Sequence, residues 1–260
     1  MNLKPENIKV YRLKIMKKIN FETIDSTNTW ALAHIEELEN KTVICADTQT
    51  NGRGRFENEW ISQCCGNLYF SIVLKPEEIK YAPNLTQYLS VVITRVLKQY
   101  GLDSEIKWPN DILVKDKKIA GMLCETNARG AKSKGFVLGT GINLNMSGEE
   151  LEKIPAPATS LLNETGQKMN KNEFFDDILD EFFKYYDEFL EKGFLLFKAE
   201  YEEKSNFLSP VSPVLNRKIF ITNNGIKEEC YAKSLNDDGT LTVIDSRNVE
   251  KKISAGDLSF

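Results

Sequence analysis

The spacing of apolar residues along the chain predicts three helical segments. Residues 29–40, TWALAHIEELEN, carry apolar side chains at helical intervals and follow Ser26, a residue type that caps helices. A second helical stripe covers residues 84–100, and Gly101 ends it. The third segment, residues 172–204, has aromatic side chains along one face, a pattern more typical of core packing than of a ligand site.

Other segments carry short runs of β-branched and aromatic residues, bounded by glycine or proline, which predict strands. These are residues 41–49, 66–76, 104–126 and 135–145, and a further strand is expected ahead of residues 25–28. Residues 104–126 read as a strand pair joined by the polar turn KDKK, and residues 50–65 as a polar loop. From residue 206 onward, short β-runs with turns at NNG and DDG predict a small β-barrel. The pattern predicts the α+β class, a mixed sheet packed with helices and followed by this barrel.

The composition is that of an ordinary globular protein. Of 260 residues, 41% are apolar and 28% are charged, which is enough for a sizeable core. The formal net charge of -4 argues against non-specific attraction to polyanions, so nucleic acid is not expected as a main partner. The first 20 residues are too few for a helix-turn-helix domain, and no specific DNA target is expected.

The cysteines, the histidine and the N-terminus narrow the class of protein further. Five cysteines without a CxxC pair are read as free thiols in a reducing cytosol. His34 stands alone in the sequence, and one histidine cannot build a zinc site or a hydrolytic triad. The N-terminal residues mix charged and apolar side chains, so neither a signal peptide nor a membrane anchor is expected. The sequence predicts a cytoplasmic protein without a protein-bound metal.

The sharpest polar feature is the loop TQTNGRGR at residues 48–55, in which Gly54 separates Arg53 from Arg55. Glycine lets the backbone fold over a ligand, and the planar guanidinium group suits a phosphate or a carboxylate. On its own the loop is as typical of a solvated or RNA-binding segment as of a site for a phosphate or carboxylate ligand.

A second feature is KWPND at residues 107–111, followed by a hairpin that returns Lys118 toward the first strand. Lys107, Asp111 and Lys118 are then expected near one another. In the alternative reading, Lys107 and Asp111 form a structural ion pair and Lys118 is a solvated turn residue. The Trp-Pro pair at residues 108–109 is unusual inside a strand and requires an explanation.

The third feature is GTGINLN at residues 139–145, where close glycines let a ligand approach the backbone and asparagine side chains can contact its polar edge. The segment lacks the third glycine and the following helix of a dinucleotide-binding fingerprint, and the sequence contains no Walker A motif.

Taken together and in this order, the segments resemble the biotin protein ligases, from about Phe21 to the C-terminus. The resemblance rests on IDSTN at 24–28, Gln49 with GRGR at 52–55, KWPND at 107–111, KKIAGML at 117–123, GTGINLN at 139–145 and ATSL at 158–161. It implies an extension of residues 1–20, a class II synthetase-like catalytic domain at 21–205 and an SH3-like domain at 206–260. Family members that also repress the biotin operon carry an N-terminal DNA-binding domain, so the chain is similar to the monofunctional type.

The resemblance implies that ATP activates biotin and that a lysine of a biotin carboxyl carrier protein domain then receives it. The carboxylate of biotin attacks the α-phosphate of ATP with Mg²⁺ present, pyrophosphate leaves, and the carrier lysine attacks the resulting biotinyl-5′-AMP. Because a carboxylate and a triphosphate repel each other, cationic donors must neutralise both. A membrane is not expected as a partner. A homodimer stays open, since many members pair through the edge of the catalytic sheet but no segment here marks a partner surface.

The resemblance also assigns roles to individual residues. The catalytic set is Lys118, Arg53 and Arg55. The biotin-binding set is Ser26, Thr27, Asn28, Gln49, Gly54, Lys118, Gly139 and Gly141. The set for ATP and the adenylate is Arg53, Gly54, Arg55, Trp60, Lys107, Asn110, Asp111, Asn143 and Asn145. Trp60 and Trp108 are expected to wall the site.

The chain departs from the family pattern within the arginine loop. Members commonly continue with a second Gly-Arg before the tryptophan, whereas this chain reads FENE at residues 56–59. Acidic side chains replace positive charge there, so weaker adenylate binding or altered loop specificity is expected. Arg53 and Arg55 are predicted to close this loop over the adenylate and to shield it from water.

Three alternatives remain. A lipoate ligase or octanoyl transferase shares the catalytic fold, but GRGR followed by KWPND favours biotin. An inactive biotin-binding sensor draws support from the altered loop, while the intact Lys118 argues against it. An RNA-binding module, suggested by GRGR alone, conflicts with the acidic balance of the chain.

Overall fold

Two β-sheets and six α-helices make up the described part of the chain. The computed structural model describes residues 17–64, 66–77, 80–129, 132–206, 218–223, 226–254 and 256–259. The larger sheet contains β1 (Lys18–Ile24), β2 (Val43–Gln49), β3 (Leu68–Leu74), β4 (Glu105–Lys107), β5 (Asp111–Val114), β6 (Lys117–Arg129) and β7 (Lys132–Ile142). The smaller sheet contains β8 (Lys218–Asn223), β9 (Ile226–Leu235), β10 (Leu241–Asp245), β11 (Glu250–Ile253) and β12 (Asp257–Ser259). The helices are α1 (Thr27–Ala33), α2 (Leu85–Gln99), α3 (Gly148–Leu151), α4 (Leu161–Thr165), α5 (Lys171–Lys192) and α6 (Lys198–Lys204).

The larger sheet has the strand order β1-β2-β3-β7-β6-β5-β4. Its first two strands pair in parallel and the remaining neighbours pair antiparallel, so the sheet is mixed. The smaller sheet is antiparallel, with the order β11-β10-β9-β8-β12. The predicted α+β class is confirmed. Residues 1–16 of the predicted extension and residues 224–225 of the NNG turn lie outside the described ranges.

Helices cover both faces of the larger sheet. On one face, Ala31 and Ile35, at and just beyond the C-terminal end of α1, pack against Ile44, Val73 and Val137. The opposite face is covered by α2 and α5, and all seven residues of β3 between the two layers are buried. Each large apolar side chain buried in this way contributes roughly 1.5–3 kcal/mol. The central strands are therefore fixed, and the site is built on their edges and on the loops that join them.

The predicted helices are present, but two of their boundaries differ from prediction. The first helix ends at Ala33, and the remainder of the segment TWALAHIEELEN forms turns. The aromatic segment is not continuous, because Gly193 adopts a φ of 62° and a short 3₁₀ turn separates α5 from α6. The change of direction lets Phe194 and Tyr201 pack edge to face, with ring centroids 5.5 Å apart. Tertiary packing thus overrides a helical periodicity that the sequence carries to residue 204.

The segment predicted as a strand pair contains three strands. The chain leaves β4 at Lys107, turns through residues 108–110 and enters β5 at Asp111, with a cis peptide bond between Trp108 and Pro109. The proline therefore lies in a turn, where it removes no hydrogen bond from the sheet. The predicted KDKK hairpin is confirmed, and Lys115 and Asp116 occupy its left-handed positions.

The smaller sheet is joined to the larger one through the turn between β9 and β10, the predicted DDG turn. The Nε1 of Trp108 donates to the carbonyl oxygen of Gly239 at 3.0 Å, and the Nε2 of Gln87 donates to the same oxygen at 2.8 Å. The Nδ2 of Asn84 donates to the carbonyl oxygen of Asp238 at 2.9 Å. Three buried donors therefore satisfy two backbone carbonyls that would otherwise be removed from water without partners. We refer to this contact as the Asp238–Gly239 joint.

Candidate functional site

A cavity of about 810 Å³ opens on the α1 face of the larger sheet, a size typical of small-molecule sites. It is bounded by the start of α1, residues 53–61 of the loop after β2, the β5–β6 hairpin, the C-terminal end of β7 and residues 154–158. These segments are distant in sequence and meet because β6 and β7 are neighbours in the sheet.

Lys118 is held in the cavity by its backbone and by its side chain. Its N–H donates to the carbonyl of Pro157 at 3.0 Å, and its own carbonyl accepts from the N–H of Thr159 at 2.9 Å. The β5–β6 ladder shifts register beside it, and bulges of this kind re-aim side chains near ligand sites. The ammonium lies 2.8 Å from the carboxylate of Asp111. Lys118 is thus fixed at both ends, with its charge at the cavity wall.

Bare backbone forms the floor of the cavity. Gly121 and Gly141 face each other across β6 and β7, and the indole ring of Trp60 lies over both. A Cβ on Gly141 would come 2.3 Å from the Trp60 ring, and a Cβ on Gly121 would come 2.9 Å from the Cε of Lys118. Glycine is needed at both positions because of these close approaches. The ammonium of Lys118 also lies 5.1 Å from the centre of the Trp60 ring.

One wall is a network of buried polar side chains. The Oε1 of Gln49 accepts from the Thr27 N–H at 2.8 Å, and its Nε2 donates to Ser62 Oγ at 2.9 Å. Ser71 Oγ lies 2.8 Å from Thr27 Oγ1 and donates to Asn28 Oδ1 at 2.6 Å. The network keeps each side chain in one orientation, so the wall is preorganised before a ligand binds.

The first residues of α1 belong to the same wall. Ser26 caps the helix, its Oγ accepting from the N–H of Thr29 at 3.4 Å, and its side chain is buried. The Oδ1 of Asn28 lies so close to β7 that a Cβ on Gly139 would come within 2.1 Å of it. Gly139 is therefore required by the packing of α1 on the sheet.

Arg53 reaches across the mouth of the cavity to β6. Its Nη2 lies 2.5 Å from Oε1 of Glu125, and its Nη1 donates to Oγ1 of Thr29 at 3.4 Å. The other carboxylate oxygen of Glu125 accepts from Asn28 Nδ2 at 2.9 Å. One carboxylate thus contacts both the arginine loop and the polar wall.

Arg55 connects the loop to both sheets. Its Nη1 donates to Asn110 Oδ1, in the turn before β5, at 2.8 Å and to the carbonyl of Gly256, just before β12, at 3.3 Å. The guanidinium lies over the ring of Phe56, with 4.8 Å between the guanidinium carbon and the ring centroid. Phe56 is half exposed and has a left-handed backbone, with φ at 54°, which costs a non-glycine residue free energy and is typical of functional loops.

The two asparagines of GTGINLN have different positions. Asn143 lines the cavity and donates from Nδ2 to the carbonyl of Thr159 at 3.1 Å. Asn145 lies outside the lining, where its Nδ2 donates to the carbonyls of Gly66 and Met169 at 3.1 and 3.0 Å. Its Oδ1 accepts from the Met169 N–H at 2.9 Å. The Asn145 side chain therefore links the backbone of Gly66 to that of Met169, and it is not placed to contact a nucleotide in this cavity.

Apart from Asn145 and Trp108, all candidate residues named from the sequence line the cavity. They are Ser26, Thr27, Asn28, Gln49, Arg53, Gly54, Arg55, Trp60, Lys107, Asn110, Asp111, Lys118, Gly139, Gly141 and Asn143. Trp108, expected to wall the site, instead lies buried in the Asp238–Gly239 joint and does not line the cavity.

Several contributors were missed from the sequence. They are Glu125, Ser62, Ser71, Met122, Leu123 and residues 154–158. For Glu125 a signal was present, because alternate residues of a strand share a face and Gly121, Leu123 and Glu125 form one such set. The others depend on which loops meet in space, and a local pattern does not contain that information.

The thiol of Cys124 next to Glu125 is not a nucleophile at neutral pH. Burial raises the pKa of Cys124 to about 12, so the thiol stays protonated.

The carboxyl of Glu164 is ionised, because its partners lower its pKa. Burial would raise the pKa of Glu164, but hydrogen bonds from Thr159 and Lys115 outweigh this effect and lower the pKa. An ionised Glu164 holds the segment that pairs with the Lys118 backbone.

Metal clusters and membrane-spanning helices are both absent from the described ranges. In the described ranges, His, Cys, Asp and Glu side chains do not gather in groups of three or more as metal ligands would. The helices of the same ranges are too short or too polar to span a membrane.

The chain matches one protein family model and several characterised proteins in sequence. Residues 20–143 match the model of the biotin/lipoate A/B protein ligase family. The chain is 30% identical over 223 residues to the bifunctional ligase/repressor BirA of Bacillus spizizenii, an alignment that covers 84% of this chain and 66% of that protein. It is 30% identical over 222 residues to BirA of Salmonella typhimurium, covering 84% and 69%. The chain thus spans about two thirds of the length of these relatives.

Solved structures agree with these sequence matches. The biotin protein ligase from Aquifex aeolicus, solved in complex with biotin and ATP, superimposes with a TM-score of 0.75 at 27% identity, over 94% of this chain and 98% of that one. A biotin protein ligase-like protein of unknown function from Silicibacter has a TM-score of 0.69 at 12% identity, over 92% of this chain and 94% of the other, and shows a shared fold alone.

Proposed function

The chain belongs to the biotin protein ligase family, and from this premise we propose that it uses ATP to join biotin to a lysine of a biotin carboxyl carrier protein domain. The proposal includes the two-step reaction, with biotinyl-5′-AMP as the intermediate.

The observation that carries the proposal is the distribution of chemistry along the cavity. Neutral hydrogen-bonding side chains, Thr27, Asn28 and Gln49, lie at one end. The ammonium of Lys118 lies further along the cavity, beside Gly121, with bare glycine backbone between. Biotin has the same polarity, since an uncharged ureido ring is joined through an apolar chain to a carboxylate. A cavity with one neutral end and one cationic end supports binding of this molecule next to a triphosphate.

In the proposed first step, a carboxylate oxygen of biotin forms a bond to the α-phosphorus of ATP. The bond from that phosphorus to the bridging oxygen breaks, and pyrophosphate leaves with the electron pair. The Lys118 ammonium, fixed by Asp111, offsets the repulsion between the carboxylate and the phosphate. The guanidinium groups of Arg53 and Arg55 line the same cavity and offer donors to phosphate oxygens.

In the proposed second step, the amine of the carrier lysine attacks the acyl carbon of the adenylate, and AMP leaves. Between the two steps the mixed anhydride must be kept from water. Residues 53–61 lie at the mouth of the cavity, and Trp60 already covers its glycine floor. A loop in this position supports shielding of the intermediate by closure.

The residues of the cavity fit a magnesium ion that arrives with ATP. Mg²⁺ takes few protein ligands when phosphates supply the rest, and Asp111 and Asn110 place oxygen atoms in the lining. Asp111 would hold the ion together with the triphosphate, and the ion would neutralise the departing pyrophosphate. Because Asp111 pairs with Lys118 in the structure, this role requires the carboxylate to contact the ammonium and the metal together.

The nearest competing function is ligation of lipoate, since the matched family model includes lipoate ligases. The hydrogen-bonding wall favours biotin, because the dithiolane ring of lipoate offers it no ureido group. An inactive biotin-binding sensor remains the second competitor.

The deciding experiment offers radiolabelled biotin and radiolabelled lipoate separately to the protein with ATP, Mg²⁺ and a purified biotin carboxyl carrier domain. We expect ATP-dependent label on the carrier lysine with biotin alone. Label from lipoate and none from biotin would replace the proposed substrate. Biotin binding without biotin-dependent exchange of pyrophosphate into ATP would identify a sensor.

A division of the chain and a location belong to the same proposal. The catalytic domain is taken as residues 21–205 and the SH3-like domain as residues 206–260, and the ligase is taken as cytoplasmic. The acidic Glu59 lines the cavity where the family usually has positive charge, which supports weaker retention of the adenylate in this chain.

A further inference from the structure

Glu125 is a charged residue for which the proposed reaction has no role, and it touches two parts of the site. Its side chain is 19% exposed, and its two carboxylate oxygens have different partners. Oε1 lies 2.5 Å from Arg53 in the loop, and Oε2 lies 2.9 Å from Nδ2 of Asn28 in α1. Burying most of a carboxylate is costly without hydrogen-bonded partners of this kind.

The carboxylate determines how the Asn28 amide is turned. Asn28 Nδ2 faces Glu125 and also the carbonyl oxygen of Leu123, at 3.2 Å. Both of these groups accept hydrogen bonds and cannot donate them. A flipped amide would place Oδ1 against two acceptors, so only one orientation is stable. In that orientation Oδ1 points toward Ser71 and the glycine edge of β7, where the ring of biotin is proposed to lie.

The same carboxylate anchors the arginine loop. Arg53 is 42% exposed, so one side of its guanidinium contacts Glu125 and Thr29 while another remains open to the cavity. The loop is thereby tied to β6 before a phosphate arrives. The two contacts together join the arginine loop to the polar wall at the start of α1 through a single side chain.

We propose that Glu125 is a positioning residue that orients Asn28 toward the ring of biotin and Arg53 toward the adenylate. This inference rests on the proposed function, because it deepens the account of the same site. Glu125 itself contacts no substrate and acts through its two partners.

Two substitutions separate the two contacts. In Glu125→Gln, the side-chain oxygen still accepts from Asn28, but its amide nitrogen meets the Arg53 guanidinium without charge. We expect the KM for biotin to stay within about twofold and hydrolytic leakage of the adenylate to rise up to about fivefold, the range of a partly exposed ion pair. In Glu125→Ala both contacts are lost. We expect the KM for biotin to rise about tenfold, the effect of removing a hydrogen bond to a charged group, with the same leakage and with kcat for adenylation changed less than KM.

Glu22→Gln is the matched control, because it removes one negative charge from the exposed side of β1. It should match the unaltered protein in both assays. Glu125→Asp keeps the charge on a shorter side chain, and partial rescue of leakage relative to Glu125→Gln is expected. Equal kinetics for the unaltered protein and Glu125→Ala would overturn the proposal, as would an equal rise in the KM for biotin in the Gln and Ala variants.

A spectroscopic measurement tests the positioning independently of turnover. In the ligand-free ¹⁵N-labelled protein, the side-chain amide signal of Asn28, assigned by its loss in Asn28→Ala, should shift in Glu125→Ala and stay in place in Glu22→Gln. If the unaltered protein lacks biotin-dependent pyrophosphate exchange, the proposed function fails while this spectrum still tests Glu125. An Asn28 signal unmoved by Glu125→Ala would refute the positioning role.

Discussion

The ammonium nitrogen of Lys118 lies 2.8 Å from a carboxylate oxygen of Asp111, across the hairpin that joins β5 to β6. The side chains are 34% and 17% exposed, so the pair is partly shielded from water and stronger than a surface ion pair. The backbone of Lys118 is bonded to residues 157 and 159. The charge therefore has a defined position before any substrate binds, as electrostatic catalysis requires.

Replacing Lys118 by alanine should abolish most adenylation. Loss of one preorganised charge at a developing anion typically lowers kcat about 10²–10³-fold. The measurement is biotin-dependent exchange of pyrophosphate into ATP. Lys117→Ala is the control, because this neighbouring side chain is exposed and lies outside the cavity lining. Activity within a fewfold of the control would remove Lys118 from the catalytic set.

Replacing Arg53 by alanine should let biotinyl-adenylate escape. The loop loses its contacts with Glu125 and Thr29, so closure over the intermediate becomes less favourable. We expect faster hydrolytic consumption of ATP per biotin transferred, measured as AMP released without carrier. Arg247→Ala removes an exposed arginine from the smaller sheet and is the control. Unchanged leakage would mean that the loop does not retain the adenylate.

Replacing Gly141 by alanine should damage the floor of the site. The new Cβ would come 2.3 Å from the indole of Trp60, so the ring must move, at a cost of about 1–3 kcal/mol. We expect weaker biotin binding by calorimetry with the fold retained. Gly148→Ala serves as the control, since its Cβ would meet its nearest neighbour at 3.8 Å. Equal affinities in the two variants would show that Trp60 is not held over this glycine.

Replacing Gly239 by alanine should weaken the Asp238–Gly239 joint. Gly239 has a φ of +77°, and its Cβ would lie 2.4 Å from Gln87 Oε1. Gly166 has a similar φ of +71° with open space around it, so Gly166→Ala reports the backbone strain alone, about 1–2 kcal/mol. We expect Gly239→Ala to cost a further ~1–3 kcal/mol, measured by chemical unfolding. Equal losses would mean that the turn moves to accommodate the methyl group.

Acid should destabilise the smaller sheet through Asp245. Hydrogen bonds from the backbone N–H groups of Val249 and Arg247, with Lys251 nearby, lower the pKa of Asp245 to about 2. The unfolded chain binds this proton near its ordinary pKa of about 3.9, so the stabilisation is complete above that pH and is lost as the pH falls toward 2. Thermal unfolding of Asp245→Asn should differ from the unaltered protein at pH 6, and the difference should shrink between pH 4 and pH 2. A difference independent of pH would assign the effect to packing.

The sequence predicts those helices and turns that are determined by residues close together in the chain. The helical stripe of α2 ends at Gly101 as its pattern indicates, and the KDKK turn adopts the left-handed conformations of a tight hairpin. Aromatic periodicity alone predicts a helix through Gly193 and misses the break, because the packing of Phe194 on Tyr201 is a tertiary effect.

In the candidate site too, some features can be predicted from the local sequence, and others depend on contacts between distant segments. Residue types such as Lys118 and Arg53 can be named from the sequence, because their chemistry suits phosphate and carboxylate. The pairing of Gly121 with Gly141 under Trp60 depends on the register of two strands, which no single segment encodes. The resemblance assigns Asn145 to the nucleotide, whereas its amide nitrogen donates to the backbone carbonyls of Gly66 and Met169.

The Asp238–Gly239 joint couples the stability of the two sheets. If the smaller sheet came away, the donors of Trp108, Gln87 and Asn84 would lose their carbonyl partners, and the apolar core shared by the two sheets would be exposed to water. We therefore expect local opening of one sheet to destabilise the other. The cavity lies almost wholly on the larger sheet. Its stability against local unfolding nevertheless depends in part on the residues of the Asp238–Gly239 joint, which lie outside the cavity lining.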